Sequence, residues 1–532
     1  MKKYQSILLA SIAIGLASCE PDFENPISDG TYSNGDANFT TYVAIGNSLT
    51  AGYMDGSMFK SGQANSFPNI LAGQLKYAGG GEFTQPSFAD DVNNLGGLTL
   101  GGNPLPNFPT RLAILMQGGA GSPVNLAGQS TIDVTSLQQK AYNNMGVPGA
   151  KSFHLLAQGY GSLAGLQNGT ANPYFVRHAT SSSATVLGDA MSLNPTFFTN
   201  WIGSNDVLAY AMSGGTGVNQ LGNTDVATYG SNDITDPQAF AFVYSTIINT
   251  LTSNGAKGVV ATIPDVASVP YFRTVPFNPL TAQALGGDAN VDALNTQLFG
   301  VLKAVLGNFQ QEGRINLLSK TSANALLIKD ESLTDLSAQI TAAASQNPQL
   351  APLAPILGYL YGQARHATAA DLFTLPTSSL IGKPVTDPVL QQLPEPYASL
   401  LNKNGVTYPL GDANVLIPTE QREIVEATRA FNQVIRGIAA QKNLAVADMN
   451  KIMNDLVSGL YSEDGQKYTS NYFQGLGNLN TVMFSLDGVH PNARGYAFVA
   501  NEVIKVINAH YKSNVPNVYV GKYAGPTIIT SN

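Results

Sequence analysis

The stretch Tyr42-Val43-Ala44-Ile45-Gly46-Asn47-Ser48-Leu49-Thr50-Ala51-Gly52 decides how this chain is read. Residues 42–45 are apolar and β-favouring, Gly46 ends the run, and a serine hydroxyl stands where the backbone must turn. A short apolar run bounded by glycine predicts a buried strand. A serine at the carboxyl end of such a strand lies where open α/β sheets assemble their ligand sites. Serine is also a common turn and helix N-cap residue. Ser48 therefore counts as a nucleophile only if the rest of the chain supplies a base, an orienting acid and donors for an oxyanion.

Working outward, the strand pattern recurs at residues 195–202, at 257–263, where Pro264 stops it, and at 444–447. Helical spacing marks residues 69–77, 239–253, 419–442 and 493–510, with Thr419 read as an N-cap followed by acids in the first turn. Residues 143–149 read as a compact turn, and 152–159 as the beginning of a helix. Strands alternating with helices predict an α/β fold: a three-layer α/β/α sandwich around a parallel sheet of about five strands. Two large insertions interrupt it. One, at about residues 54–142, is loop-rich with Gly-Gly and Pro punctuation; the other, at about 271–418, has amphipathic patterns at 291–306 and 333–344 and a Pro-rich middle.

The chain has 532 residues, 44% apolar and only 12% charged, with a net charge of −8. A core is affordable at this apolar content, and the charge gives no basic footprint, so nucleic acid is not an expected partner. The amino terminus reads as a targeting segment: Lys2 and Lys3, an apolar run at 7–16, then Leu16-Ala17-Ser18-Cys19, which resembles a bacterial lipobox. This divides the chain into a signal peptide at 1–18, a flexible tether at 19–38, a catalytic domain at 39–510 and a tail at 511–532. Cys19 is the sole cysteine, so no intramolecular disulfide can form, and it is the expected site of lipidation. Lipid at Cys19 would anchor the protein in the cell envelope. Glu20 in place of aspartate favours the outer membrane of a Gram-negative cell.

Four blocks carry the chemistry: Gly46-Asn47-Ser48-Leu49, Asn143-Asn144-Met145-Gly146-Val147-Pro148-Gly149-Ala150, Trp201-Ile202-Gly203-Ser204-Asn205-Asp206 and Asp487-Gly488-Val489-His490-Pro491. A histidine can take the serine proton near neutral pH, and an aspartate three residues earlier can present its carboxylate to the other ring nitrogen from the same turn. His154, His178, His366 and His510 have no such companion, Trp201 reads as packing beneath the third block, and Asp206 as structural. No metal-ligand spacing and no phosphate loop occur, so neither metal nor cofactor is expected.

The four blocks, in this order, resemble those of the SGNH hydrolases, also called GDSL lipases and esterases. The resemblance implies a flavodoxin-like sandwich with Ser48 as nucleophile, Asp487 and His490 as acid and base, and the Ser48 and Gly149 N–H groups with the Asn205 amide as the oxyanion hole. It covers residues 39–160, 194–270 and 419–510 and leaves the two insertions unexplained. Asn47 departs from the family's usual aspartate; an isosteric amide can still make the local hydrogen bonds of the turn. The implied reaction is cleavage of carboxylic esters through an acyl-serine. The substrate is read as a lipid or other acyl ester, with Phe59, Phe67, Phe83, Phe88 and Phe108 of the first insertion roofing an acyl groove and the second insertion acting as a lid or cap. Deacetylation of an acylated glycan is the alternative, and a non-catalytic surface binding protein on the same fold is the third possibility.

Overall fold

The computed structural model describes residues 30–117, 120–348, 350–462 and 465–530. The signal-peptide reading, Cys19 and the first part of the tether lie outside the described residues. At its centre is a five-stranded sheet of β1 (Tyr42–Gly46), β2 (Asn144–Gly146), β3 (Phe197–Trp201), β4 (Lys257–Ala261) and β5 (Ala445–Ala447). The strands lie side by side in the order β5-β4-β3-β1-β2, and every pairing is parallel. The chain runs from β1 outward to β2 and then returns to the far side of β1 as β3. The order therefore reverses between β1 and β3, where a doubly wound sheet opens a crevice at its carboxyl ends.

The helices that frame the sheet and its site are α1 (Ser48–Ala51), α2 (Phe67–Leu75), α3 (Val186–Ser192), α4 (Asn205–Met212), α5 (Pro237–Leu251), α6 (Pro418–Lys442), α7 (Met449–Ser458) and α8 (Ala493–Tyr511). Strand residues alternate between faces, so each strand feeds two cores. Val43, Ile45, Met145, Phe198 and Val260 pack under α3, α5 and α6. Tyr42, Ala44, Phe197, Trp201, Val259, Ala261, Ala445 and Ala447 pack under α2 and α8. The expected layering with helices on both faces is thus present, with Trp201 in the α2–α8 core and its ring edge-on to Phe67 at 5.7 Å.

Three local readings are corrected. Residues 143–149 hold more than a turn: Asn144–Gly146 is the edge strand β2, which has no apolar run of its own and exists because β1 offers it a ladder. Residues 152–159 do not start a long helix, because Ser152–Leu156 forms a short 3₁₀ segment. Thr419 is not an N-cap. α6 begins one residue earlier, at Pro418, whose fixed φ suits the first helical position, and Glu420 accepts the Ile417 N–H at 2.7 Å.

The segment between β4 and α6 builds a core of its own. Val275, Phe299, Leu302, Ile315, Ile328, Tyr361, Phe373 and Ile417 are all buried in one cluster that excludes the sheet. The segment between α1 and β2 contributes α2 to the sandwich and adds a small core of Met58, Phe88, Leu98, Ile132 and Val134, completed by Tyr174 and Val176. Toward the two ends of the described residues, the Asp36 N–H donates to the Tyr511 carbonyl at 2.7 Å, and Ile528–Thr530 pairs in parallel with Leu112–Gln117. Among the described residues no helix is long and apolar enough to cross a membrane.

Candidate active site

Gly46 is the pivot of the site. A Cβ there would lie 2.3 Å from Thr50 Oγ1 and 2.6 Å from the Trp201 carbonyl oxygen, so only glycine lets the chain turn this tightly against β3. Asn47 caps the short helix α1, its Oδ1 accepting the Leu49 N–H at 3.0 Å. The amide thus makes the local bond that the usual aspartate would make, and Ser48 follows as the first residue of α1, 6% exposed. Beside it, Gly146 at the end of β2 lets α1 sit directly on the neighbouring strand: a Cβ there would meet the Ala51 nitrogen at 2.3 Å.

The fourth block reaches this serine across more than four hundred residues of sequence. His490 Nε2 lies 2.9 Å from Ser48 Oγ, and His490 Nδ1 lies 3.0 Å from Asp487 Oδ2. Both side chains come from one tight turn, closed by the Ser485 N–H donating to the His490 carbonyl at 2.8 Å. Asp487 Oδ1 accepts the Val489 and His490 N–H groups at 2.9 Å each. Asp487 Oδ2 also accepts the Gly56 N–H at 3.0 Å. Burial pushes the Asp487 carboxyl up, but the neighbouring His490 and these hydrogen bonds outweigh it and hold the group at about 2. It is a carboxylate throughout the neutral range and can fix the imidazole with Nδ1–H toward itself and Nε2 toward the serine.

The second and third blocks meet beside Ser48. The Val147 N–H donates to the Gly46 carbonyl at 3.0 Å, and the Ala150 N–H closes a turn onto the Val147 carbonyl, leaving Gly149 at φ +80°. Asn205, at the start of α4, donates its amide to the Ala150 carbonyl at 2.9 Å, which locks the two blocks together. Asp206 is structural, as expected: its carboxylate accepts from the Ser152 N–H at 2.9 Å and from Ser152 Oγ at 2.7 Å. The Ser48 and Gly149 N–H groups have no acceptor among the described residues. Free N–H groups at a tight turn are what an anion needs for binding.

Three residues near the triad were not singled out from the sequence. The Tyr53 ring lies 4.7 Å from the His490 ring at 48°, and its hydroxyl donates to the Gly56 carbonyl. Gly56 holds Asp487, as above. Asp55 is 4% exposed and grips the loop before the acid: its Oδ1 accepts the Leu486 N–H at 3.0 Å, and its own N–H donates to Ser485 Oγ at 3.0 Å. Burial raises the Asp55 carboxyl to about 7, with the Asp487 charge adding to the rise and the Leu486 N–H and Arg111 opposing it.

A cavity of about 100 Å³ opens from Ser48 and His490 and is walled almost entirely by apolar side chains. Met449, Met453 and Leu456 of α7, Met483 and Phe484, and Phe498 of α8 all line it. The five phenylalanines expected to roof this groove do not line it: Phe59, Phe67 and Phe83 pack in the α2–α8 core, and Phe88 and Phe108 in the small core of the first segment. Among the described residues none of 271–418 lines the cavity, whose wall comes from α7; the segment meets the site instead at the acid–base turn, where the Tyr271 N–H donates to the Gly488 carbonyl at 2.9 Å. The sequence carried a signal for the α7 wall. Met449, Ile452, Met453 and Leu456 recur at helical spacing and give α7 one apolar face.

The remaining histidines have other employment. His154 Nδ1 accepts the Lys151 N–H at 3.0 Å and its ring stacks on Tyr160, His366 Nδ1 accepts the Asn316 N–H at 3.0 Å, and His178 is buried against Tyr142 and Phe175. His510 lies beside the Asn443 carbonyl at the end of α8. Far from the triad, Glu331, Asp412 and Glu420 bring three carboxylates within 4.8 Å of one another. Burial and mutual repulsion push Asp412 and Glu420 upward, so this group lowers its charge by holding protons.

No family model, curated protein or solved structure matches this chain.

Proposed function

We propose that the protein is a serine ester hydrolase of the SGNH type that cleaves carboxylic esters through an acyl-serine intermediate. The observation that carries this reading is the unbroken relay from Ser48 Oγ to His490 Nε2 at 2.9 Å and from His490 Nδ1 to Asp487 at 3.0 Å, at the carboxyl end of β1. In the first half-reaction His490 takes the Ser48 proton as Oγ attacks the ester carbonyl. The negative charge that grows on the carbonyl oxygen is met by the Ser48 and Gly149 N–H groups and the Asn205 amide. His490 then gives its proton to the departing alcohol, leaving an ester on Ser48. In the second half-reaction His490 takes a proton from water, which attacks the acyl-serine, and the carboxylic acid leaves with Ser48 Oγ reprotonated.

The apolar cavity that opens from Ser48 supports an acyl chain as the group transferred. Each methylene buried there is worth about 0.8 kcal/mol, roughly a fourfold gain in kcat/KM per carbon where the chain is held in the transition state. An acetyl group would leave most of the cavity unfilled, so the lipid or acyl-ester reading is favoured over glycan deacetylation. Lipidation of Cys19 and placement at the outer membrane belong to the same proposal, and mass spectrometry of the mature amino terminus tests them. For the reaction, Ser48→Ala and His490→Ala are each expected to abolish nearly all turnover of a p-nitrophenyl octanoate while the thermal melt is retained. Turnover surviving in either folded variant would refute the assignment. A folded wild type with no turnover of any ester would favour the binding-protein alternative.

A further inference from the structure

We infer that Phe498 is the inner wall of the acyl cavity and sets the length of chain the enzyme accepts; this rests on the ester-hydrolase reading above. The cavity that begins at Ser48 does not end in bulk protein. Phe498 also borders a second, larger cleft of about 690 Å³, lined mostly by polar residues, Gln74, Tyr77, Asn501, Glu502, Lys505 and Tyr519 among them. Among the described residues, Phe498 alone borders both.

The two spaces follow one another along α8. Pro491, Gly495 and Val499 border the first, and Asn501, Glu502 and Lys505 the second, so the two spaces lie along successive turns of α8 with Phe498 between them. Side chains on a helix lean toward its amino terminus. That direction tips the Phe498 ring back toward His490 and across the passage. Phe498 is 7% exposed and packs in the α3–α5–α6 core cluster, which holds the ring in place.

Phe498 stands five residues into α8, roughly 8 Å along the helix from its start. The space that Phe498 shares with Ser48 is about 100 Å³, so a chain that outgrows it meets the ring. Longer chains have to stop, fold back or displace it. Removing the ring takes away the side chain that stands between the two spaces, so a longer chain can run on past it toward the open second cleft.

The test is kcat/KM for p-nitrophenyl acetate, hexanoate, octanoate, dodecanoate and palmitate with the wild type, Phe498→Ala, Phe498→Leu and Phe498→Trp, each with its thermal melt. The wild type is expected to prefer the shorter chains and to fall by dodecanoate. The dodecanoate-to-hexanoate ratio should rise at least tenfold in Phe498→Ala, rise less in Phe498→Leu, and fall in Phe498→Trp. The milder leucine variant carries the comparison if the alanine variant does not fold. An active wild type whose ratio stays within twofold in the folded variants would overturn the inference alone. A folded wild type that cleaves none of the five esters would overturn the ester-hydrolase reading and this inference with it.

Discussion

Replacing Asp55 with asparagine should change how the stability of this protein depends on pH. Asp55 is buried beside a second carboxylate, Asp487, with the Leu486 N–H on its Oδ1 and the Arg111 guanidinium nearby. Burial dominates and raises its carboxyl from an ordinary 3.8 to about 7. The folded protein therefore keeps a proton on Asp55 between pH 4 and 7 where the unfolded chain has lost it. A folded state that binds more protons than the unfolded state loses stability as pH rises. Over this window the loss amounts to about 4 kcal/mol at most. Asp487, held at about 2, acts with the opposite sign, but only below pH 4, where its stabilisation disappears as it is protonated. The Asp55→Asn variant keeps an oxygen for the Leu486 N–H and carries no titratable proton. Asparagine also suits the left-handed backbone at this position, where φ is +53°. The variant and the wild type should melt within a degree or two of each other at pH 4.5, and the variant should melt clearly higher at pH 8. Thermal scans of both proteins across pH 4–9 give the answer. A melting-temperature difference that stays constant with pH, or wild-type stability gained relative to the variant as pH rises, would refute the reasoning.

Removing the Asn205 amide by Asn205→Ala takes one donor from the oxyanion and should lower kcat by ~10²–10³-fold, about 2.7–4 kcal/mol, while KM changes little; a drop of less than tenfold would remove Asn205 from the hole. Gly146→Ala places a methyl 2.3 Å from the Ala51 nitrogen, so α1 must shift and carry Ser48 with it; activity should fall by more than tenfold, and an unaffected kcat would show that α1 does not depend on this close approach. Asp487→Asn leaves the turn intact but lets the imidazole adopt the wrong tautomer, for which a loss of about 10⁴ in kcat is expected; steady-state kinetics and a retained melt check it. Met453→Trp fills the α7 wall of the cavity and should depress octanoate turnover far more than acetate turnover, read as the ratio of the two kcat/KM values.

What could be read from the sequence follows the range of the interactions involved. β1 and β4 announce themselves because each is an apolar run ended by Gly or Pro, β3 because Phe197, Phe198, Trp201 and Ile202 outweigh Thr199 and Asn200 ahead of Gly203, and α5, α6 and α8 because their apolar residues recur at helical spacing. β2 did not, because Asn144-Met145-Gly146 has no strand character apart from the ladder β1 provides. Ser48, Asp487 and His490 were legible through the resemblance of the four ordered blocks to a known family's, supported by the three-residue spacing of acid and base and the strand that ends at the serine. The supporting residues were not. Asp55 and Gly56 act on Leu486 and Asp487 from a loop 431 residues away, and nothing in Met54-Asp55-Gly56 marks that contact. The acyl cavity was misplaced for a related reason. The long Leu- and Phe-rich segments attracted the reading of roof and lid, yet their apolar residues pack into the sandwich and into two further cores. The ten-residue helix α7 that walls the cavity is short, although its apolar stripe was visible at Met449, Ile452, Met453 and Leu456.

The central claim is that Ser48 is a nucleophile activated by His490, and covalent trapping tests it most directly. A fluorophosphonate probe should label the wild type at a single site. Digestion and mass spectrometry should place the adduct on the peptide containing Ser48, and labelling should vanish in Ser48→Ala and slow by orders of magnitude in His490→Ala. A folded wild type that stays unlabelled, an adduct on another residue, or equal labelling of the Ser48→Ala variant would contradict the account.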